Sequence, residues 1–334
     1  MAKPSDGQPK IAWRRRFARL IGKIAVAAVI AVWGVQEVWG ESHWFTALLT
    51  YAPPALYLAI PAAALLVAAL CFDLRAAGWA LIAAGLCLLG LAQPSLHLPG
   101  ASKPTGKTIR VVTWNVHDRL QDCDVLRAEL ERLRPDIVCL QEASSPRFRD
   151  CWPDAEWTHA DSLLILTRGR ITRHRTIELQ PQKHHLRPLL EADVALDGEK
   201  FTVLNVHLYS YQLAAALKHP FAEHAREVAE GAVEMRTLQV EEALAWLERQ
   251  NSRAIVAGDF NTPPRGRLYK RLARTATDSF RAAGTGFGWS FPRSRPVLRI
   301  DYIWVSRDLQ PLGCRRLRGG PSDHRAVVAD VGER

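Results

Sequence analysis

Residues 254–263, AIVAGDFNTP, form the stretch on which the fold prediction depends. The apolar first half predicts a buried β-strand, and Gly258 allows a close backbone turn where that strand ends. Because side chains alternate along a strand, Asp259 and Asn261 are expected on the same face. Pro263 removes a backbone donor and ends the pairing. Such a pair could hold an anion or aim a water molecule, although an Asx turn that merely closes a strand gives the same pattern.

Length, charge and cysteine content limit the classes of function that are possible. The chain has 334 residues, enough for more than one domain, and its net charge of +10 is not concentrated in a polybasic tail. This charge permits phosphate-bearing substrates without singling out nucleic acid. None of the six cysteines belongs to a Cys-x-x-Cys pair, which argues against a structural zinc site. Sequence spacing neither pairs these cysteines nor excludes a disulfide.

The N-terminal part of the chain has the composition of a membrane anchor. Residues 1–19 are polar and basic, and apolar runs follow at 20–35, 47–72 and 76–92. Each run, with its edges, reaches the roughly 17–25 residues that cross a hydrocarbon core, so three transmembrane helices are predicted within residues 20–92. A cleaved signal peptide is the competing interpretation of the first run. No small-residue cleavage site follows that run, and two more apolar runs come after it.

The distribution of basic residues predicts the orientation of this anchor. Lysine and arginine side chains near the N-terminus place residues 1–19 in the cytoplasm. An odd number of spans then places everything after residue 92 outside the cytoplasm. Residues 93–107 are rich in Pro, Gly, Ser and Lys and predict a linker, and residues 108–334 form a soluble domain. The expected location is therefore the inner or plasma membrane, with the soluble domain on its periplasmic or extracellular side.

The soluble domain shows many short apolar runs and few helical patterns. This arrangement predicts an α/β (α+β) fold in which two packed sheets carry helices on their outer faces. The clearest helical spacing covers residues 224–249, and a second helix is predicted at 122–133. The predicted strands are 108–114, 136–140, 163–167, 191–196, 202–206, 254–257, 300–305 and 326–331.

Polar side chains able to bind a metal or move a proton stand at the ends of these strands. Any one of them alone is more often a solvated loop residue or a satisfied polar group in the core. Burying so many polar groups without mutual pairing would cost several kcal/mol, so their convergence in one pocket has the lower free energy. They are Asn115, Glu142, His207, Asp259, Asn261, Asp301, Asp323 and His324.

The motifs around these residues resemble those of the endonuclease/exonuclease/phosphatase superfamily. They occur in the same order as in that superfamily and cover roughly residues 106–332. The resemblance implies a four-layered α/β/β/α sandwich of two mixed sheets and the Mg²⁺-dependent cleavage of a phosphoester. The matching motifs are WN at 114–115, LQE at 140–142, NVHL at 205–208, GDFN at 258–261, RIDYI at 299–303 and SDH at 322–324.

The resemblance implies a metal site made of oxygen donors. Glu142 resembles the main metal carboxylate, with Asn115 and Asp323 nearby. Oxygen ligands suit the hard cations Mg²⁺ or Mn²⁺ better than zinc, and Mg²⁺ keeps several of its waters. The expected cofactor is therefore Mg²⁺ or Mn²⁺.

The resemblance also implies catalytic roles. His324 resembles a general base or phosphate-contacting histidine that is oriented by Asp301. Asp259 and Asn261 resemble the pair that positions the attacking water and the phosphate, and His207 the second histidine on the phosphate side. A carboxylate could accept a proton from water as readily as an imidazole could. The assignment of the general base to Asp259 or to His324 stays open from sequence.

The substrate pocket is less well defined by the sequence. Arg187 and Trp289 are the candidate substrate-binding residues, as a phosphate contact and as an aromatic platform respectively. An exposed or structurally paired arginine and a packed loop aromatic are the competing interpretations. The segment 160–168 stands where many relatives have a glycine-led strand, and no acid that orients His207 can be identified. The local architecture beside that histidine is therefore not predicted.

These observations predict a membrane-anchored phosphoester hydrolase that acts outside the cytoplasm. An anchor raises the effective concentration of lipid substrates at the active site, so a lipid-linked phosphate or pyrophosphate is the leading substrate class. The arrangement resembles the membrane-anchored branch of the superfamily. The expected partners are the lipid bilayer and a phosphorylated substrate, with no obligate protein partner evident. The alternatives are an extracytoplasmic nuclease acting on DNA or RNA, and a receptor that binds phosphorylated ligands without turnover.

Overall fold

Two six-stranded mixed sheets form the centre of the soluble domain. The computed structural model describes residues 8–97, 107–117, 123–179, 187–210, 223–250, 253–317, 320 and 322–334. Strands are β1 (Ser95–Leu96), β2 (Ile109–Asn115), β3 (Ile137–Gln141), β4 (Glu156–Ala160), β5 (Leu163–Thr167), β6 (Arg170–Ile177), β7 (Leu189–Leu196), β8 (Glu199–His207), β9 (Ala254–Asp259), β10 (Thr277–Asp278), β11 (Thr285–Gly286), β12 (Asp301–Val305), β13 (Leu309–Arg316) and β14 (Val327–Glu333). Helices are α1 (Gln8–Val38), α2 (Trp44–Tyr51), α3 (Pro54–Tyr57), α4 (Ala59–Leu70), α5 (Leu74–Leu86), α6 (Cys123–Leu133), α7 (Arg147–Asp150), α8 (Glu223–Glu248), α9 (Gly266–Thr275) and α10 (Ser279–Ala283), and a π-helical turn at Cys87–Ala92 extends α5.

The two sheets stack face to face and are covered by helices on their outer faces. One sheet has the order β10-β12-β9-β8-β7-β6 and the other β13-β14-β2-β3-β5-β4. Apolar side chains from both sheets share one buried cluster between them. A second cluster joins the outer face of one sheet to α6 and α7, and a third joins the other sheet to α8 and α9. The predicted four-layered α/β/β/α sandwich is confirmed.

Strand register brings the polar strand ends to a common edge. The parallel pair β2–β3 sets Asn115 opposite Gln141, one residue before Glu142. The parallel pair β8–β9 sets His207 opposite Asp259, and the antiparallel pair β9–β12 sets Asp259 opposite Asp301. Residues that face each other across neighbouring strands have side chains about 4.5–5.5 Å apart. The pairing of three strands therefore places three candidate catalytic residues in one row.

Backbone contact is unusually close at Gly258. A Cβ atom built on this residue would lie 1.9 Å from the carbonyl oxygen of Val206, and the φ angle is +155°. No side chain fits there without separating β8 from β9. The glycine in the sequence thus serves the strand pairing beside Asp259.

Several elements that the sequence pattern did not predict are present in the structure. Strand β6 is an edge strand with mostly exposed side chains, so it lacks the apolar alternation that marks a half-buried strand. Strands β4 and β13 are also additional, and so is helix α9, which follows residues 254–263.

The apolar N-terminal region contains two or three helical segments that could span a membrane. Ala12–Val38 and Leu74–Ala92 are long and apolar enough by themselves. Trp44–Tyr51 and Pro54–Leu70 are long enough for a third span only when they are taken together. The two helices meet at an angle of 91°. The bend lies at Pro53 and Pro54, because proline cannot donate a backbone hydrogen bond and disfavours a helical conformation in the residue before it. Residues 98–106 of the predicted linker lie outside the described part of the chain.

Candidate active site

The strand-end residues predicted as catalytic or metal-binding lie together at one edge of the two sheets. Asn115 joins them across the sandwich, because its Nδ2 donates to Glu142 Oε1 and to Asp259 Oδ2, both at 3.1 Å. Asn115 belongs to one sheet and Asp259 to the other. The carboxamide therefore connects the two halves of the site.

Two partly exposed carboxylates form the outer side of the site. Glu142 Oε2 lies 3.1 Å and Asp323 Oδ1 lies 3.8 Å from the same nitrogen, Nδ1 of His117. The Glu142 side chain is 28% exposed and the Asp323 side chain 43%. His117 was not among the predicted site residues, although it lies two positions after Asn115 and so could be expected near the same edge. Its backbone N–H donates to Asn115 Oδ1 at 2.9 Å.

These residues fit a divalent cation that keeps part of its water shell. The donor set of Glu142 and Asp323 is anionic oxygen, which suits Mg²⁺ or Mn²⁺, and the exposure of both groups leaves room for waters. A second group of possible ligand atoms, from Asp259, Asp301 and His324, lies within 4.8 Å of one another. That inner group is buried, and its carboxylates already accept hydrogen bonds, Asp301 from His324 and Asp259 from Asn115 and Asn261. The outer carboxylates are thus the better place for a hydrated ion.

A buried histidine–aspartate pair stands behind the outer carboxylates. His324 Nδ1 donates to Asp301 Oδ2 at 3.0 Å, and its Nε2 lies 3.8 Å from Asp259 Oδ2. Burial by itself lowers the pKa of His324, but attraction to Asp301 and Asp259 outweighs burial and raises the pKa to about 10. The imidazole therefore carries a positive charge at neutral pH and presents Nε2–H to the site.

Asp259 occupies the centre of the site. Its Oδ1 accepts the backbone N–H of Asn261 at 2.9 Å, and its Oδ2 lies 3.6 Å from His207 Nε2. Complete burial raises the pKa of Asp259 to about 7, with His324 opposing that rise and Asp301 adding to it. A carboxylate with this pKa can accept a proton near neutral pH.

His207 lies between the inner and outer groups. Its Nε2 is 3.7 Å from Glu142 Oε1, and the Arg187 guanidinium is in hydrogen-bond contact with the same nitrogen. Burial, followed by the charges of Arg187 and His324, lowers the pKa of His207 well below its usual value, so this imidazole is neutral. Its buried Nδ1 has no hydrogen-bond partner among the described residues. The structure thus brings Arg187 into the site, and Asp259 and Glu142 lie near His207 Nε2, but no carboxylate among the described residues is within hydrogen-bond distance of either ring nitrogen.

Left-handed backbone conformations occur at three site residues. The φ angles are +53° at His117, +51° at Glu142 and +47° at Asn261. Such conformations cost about 1–3 kcal/mol each in residues other than glycine and tend to cluster at functional sites. The carboxamide of Asn261 is also fixed, because its Nδ2 donates to Leu208 O at 3.0 Å.

The aromatic residues in the loop before β12 make two separate contacts. The ring of Phe291 packs against the His324 ring, with centroids 4.7 Å apart. Trp289, the predicted platform, instead stacks on Phe287 with centroids 4.4 Å apart. A cavity of about 340 Å³ opens beside His117, Arg293 and Asp323. The aromatic contact to His324 therefore comes from Phe291 and not from Trp289.

A disulfide joins the segments that follow β2 and β3. It links Cys123 to Cys151, whose Cα atoms are 5.1 Å apart. The two strands end at Asn115 and at Gln141, next to Glu142, so the bridge ties together the two segments that leave the outer side of the site.

Comparisons with known proteins agree with this architecture. The sequence pattern of the Endonuclease/Exonuclease/phosphatase family matches residues 112–324. An endonuclease/exonuclease/phosphatase from Beutenbergia cavernae has a similar structure, with a TM-score of 0.53, 19% identity and coverage of 68% of this chain and 72% of that one. A humanized D. rerio TDP2 has a TM-score of 0.52 and 18% identity, with coverage of 67% of this chain and 99% of that one. The human nocturnin catalytic domain has a TM-score of 0.50 and 17% identity, with coverage of 70% of this chain and 97% of that one. A search of curated proteins found no match.

Proposed function

The chain belongs to the endonuclease/exonuclease/phosphatase family, and from that premise we propose that it is a membrane-anchored hydrolase of lipid-linked phosphates or pyrophosphates. Family and fold make it a metal-dependent phosphoesterase. What the proposal adds is the anchor, the side of the membrane, the substrate class and the roles of individual residues.

The proposed reaction is in-line attack of water on phosphorus. Asp259, with its pKa of about 7, accepts the proton of the attacking water. The Asn261 carboxamide and the charged His324 imidazolium contact the phosphate oxygens, and His324 keeps its charge because Asp301 holds it. A divalent ion on Glu142 and Asp323, beside Asn115, would neutralise charge developing on the phosphate and the leaving oxygen.

The neutral imidazole of His207 and the guanidinium of Arg187 provide a second contact for the phosphate. The Arg187 guanidinium contacts His207 Nε2, between the inner and outer groups of the site. A guanidinium can bind two phosphate oxygens at once. Trp289 is proposed as a more distant contact, on the apolar or leaving-group side of the substrate.

The observation that carries the lipid assignment is that two loops leaving the catalytic edge of the sheets contact the anchor. Tyr209, two residues after His207, packs with Trp44 and Tyr51 of α2. Arg265, four residues after Asn261, donates to backbone carbonyls of the anchor. The loops that leave two catalytic strands are therefore the ones in contact with the apolar segment. A lipid headgroup at the bilayer surface would lie close to this edge.

Charge and thiol chemistry support an orientation with the domain outside the cytoplasm. Arg19 pairs with Asp73, and Glu37 pairs with Lys270 of the catalytic domain. At 1.5 Å per residue these pairs bracket about 27 Å of α1, close to the roughly 30 Å of a hydrocarbon core. The basic N-terminal end then faces the cytoplasm. The Cys123–Cys151 disulfide, which lies in the catalytic domain, suits an oxidising compartment.

The experiment is a substrate comparison with the full-length protein in proteoliposomes. Hydrolysis is measured with Mg²⁺ and, separately, with Mn²⁺, on undecaprenyl pyrophosphate, phosphoinositides, plasmid DNA and RNA. The proposal expects phosphate release from a lipid substrate and little cleavage of nucleic acid. Efficient cleavage of DNA or RNA whose affinity falls steeply with salt would instead establish a nuclease. Ligand binding without turnover on any substrate would establish the receptor alternative.

A further inference from the structure

The membrane anchor and the catalytic domain cap each other's helices. We propose that Arg265 and Glu41 are positioning residues that lock the catalytic edge onto the anchor and so hold the active site at the height of a lipid headgroup. The substrate part of this inference rests on the proposed function, whereas the lock itself does not.

Arg265 reaches from the catalytic domain into the anchor. It is 3% exposed, its Nε donates to Thr50 O at 2.7 Å, and its Nη1 donates to Leu91 O at 2.8 Å. Its Nη2 donates to Ala52 O. These carbonyls lie at the ends of α2 and of the π-helical turn after α5, where backbone oxygens lack partners within the helix. A guanidinium placed there also offsets the partial negative charge of a helix C-terminus.

Glu41 makes the reciprocal contact. It is 3% exposed, and its Oε2 accepts the backbone N–H of Arg267 at 2.7 Å, in the first turn of α9. No side chain from the N-cap position of α9 caps this helix. A carboxylate at a helix N-terminus satisfies a free donor and offsets the partial positive charge. The anchor thus supplies a cap that the helix itself lacks, and a Cβ atom on Gly266 would lie 2.2 Å from Glu41 Oε1.

The lock is connected to the catalytic residues through short segments. Arg265 follows Asn261 by four residues, and the intervening Thr262 O accepts the hydroxyl of Tyr302 at 2.8 Å, beside Asp301 in β12. In the segment after β8, Tyr209 O accepts a hydrogen bond at 3.0 Å from Arg236 on α8. Its guanidinium also lies 4.3 Å from the centre of the Tyr51 ring of the anchor. A tilt of the domain on the anchor would therefore move the catalytic edge relative to the bilayer surface.

Buried charges are a poor way to gain stability alone. Apolar replacements of buried ionic groups are often neutral or stabilising, whereas in some proteins buried polar groups fix one arrangement among several. A catalytic domain that needed only attachment would require a linker and no buried cap. The interface therefore fits a device that sets orientation.

A native ion pair reports directly on docking. Lys270 on α9 forms an ion pair with Glu37 at the end of α1, and both are partly exposed. A carbodiimide should convert this pair into an amide, which mass spectrometry detects as one cross-linked peptide. Lys270→Arg should abolish the cross-link. The yield measures docking of anchor and domain without reference to any substrate.

The test combines this cross-link with two activities in proteoliposomes. Arg265→Met is compared with wild type on a lipid-linked pyrophosphate and on the water-soluble diester bis(4-nitrophenyl) phosphate. Arg271→Met is the matched control, because Arg271 lies on α9, the helix that begins directly after Arg265, but pairs with Glu241 inside the domain. The lock predicts a loss of at least about tenfold in kcat/KM on the lipid, a lower cross-link yield, and a change below about threefold on the soluble diester. Arg265→Lys should restore part of the lipid activity and of the cross-link.

Each contrary outcome has a distinct meaning. An equal loss on both substrates with normal cross-linking would overturn the inference, since Arg265 would then support the site rather than its position. Unchanged lipid activity and cross-linking would overturn it as well. If Arg265→Met does not fold, Glu41→Leu carries the same expectations, because it removes both oxygens that could accept the Arg267 N–H. If wild type hydrolyses only the soluble diester, the lipid assignment fails, and the cross-link yield alone decides whether the lock exists.

Discussion

Substitution of Gly258 by alanine tests the strand pairing that builds the site. The added Cβ atom would lie 1.9 Å from Val206 O, whereas real contacts of this kind essentially never fall below 3.0 Å. Strands β8 and β9 must then separate by more than 1 Å next to His207 and Asp259. Overpacking of this kind costs about 1–3 kcal/mol. A displacement of about 1 Å in a catalytic group lowers turnover by about 100-fold.

The assay is thermal unfolding of the detergent-solubilised protein together with turnover at saturating Mg²⁺. The expected loss corresponds to a fall in Tm of about 2–12 °C for a domain of this size. Gly198→Ala is the matched control, since Gly198 also has a positive φ of +87° but no atom within 4 Å of its added Cβ. It should cost about 1–2 kcal/mol from its positive φ and leave turnover unchanged, so turnover separates it from Gly258→Ala. Wild-type Tm and turnover in Gly258→Ala would refute the close pairing of β8 with β9.

Three further changes test other parts of the site. Asp301→Asn should lower kcat about 10³- to 10⁴-fold with the fold intact by circular dichroism, because the neighbouring histidine loses the charge that orients it; a loss below tenfold would argue against that pairing. Cys123 and Cys151 should resist alkylation until the unfolded protein is reduced, and the double serine variant should lose about 2–4 kcal/mol of stability; free thiols in protein isolated under non-reducing conditions would contradict the bridge. His117→Ala should weaken Mn²⁺ binding about 10- to 100-fold in calorimetry, since the ring contacts a metal carboxylate; an unchanged Kd would separate it from the metal site.

The strand-end logic of the sequence accounts for most of the fold and for the grouping of the site. The continuous apolar run 163–167 coincides with an observed strand, because both faces of that strand are buried. Strand β6 was not predicted, because its side chains are mostly exposed at the sheet edge and need not be apolar. The middle apolar run was predicted as one span, whereas the structure bends it by 91° at two prolines.

What the sequence could not supply depends on contacts between distant segments. His117 gains its place only because the turns after β2 and β3 fold toward each other. The pairing of Cys123 with Cys151 is one choice among many until those turns are placed. The contacts of Arg265 join residues more than 170 positions apart, and no local pattern marks either partner.

The most direct test of the account is the metal dependence of hydrolysis in Glu142→Ala. Turnover on the preferred phosphoester and Mg²⁺ binding by calorimetry are measured on wild type, Glu142→Ala and the exposed-acid control Asp154→Ala. The account predicts that wild type and the control lose activity when a chelator removes the metal and regain it with Mg²⁺. Glu142→Ala should fold normally, bind Mg²⁺ weakly and turn over at least about 10³-fold more slowly. Equal turnover of Glu142→Ala and wild type at saturating Mg²⁺ would contradict the central claim.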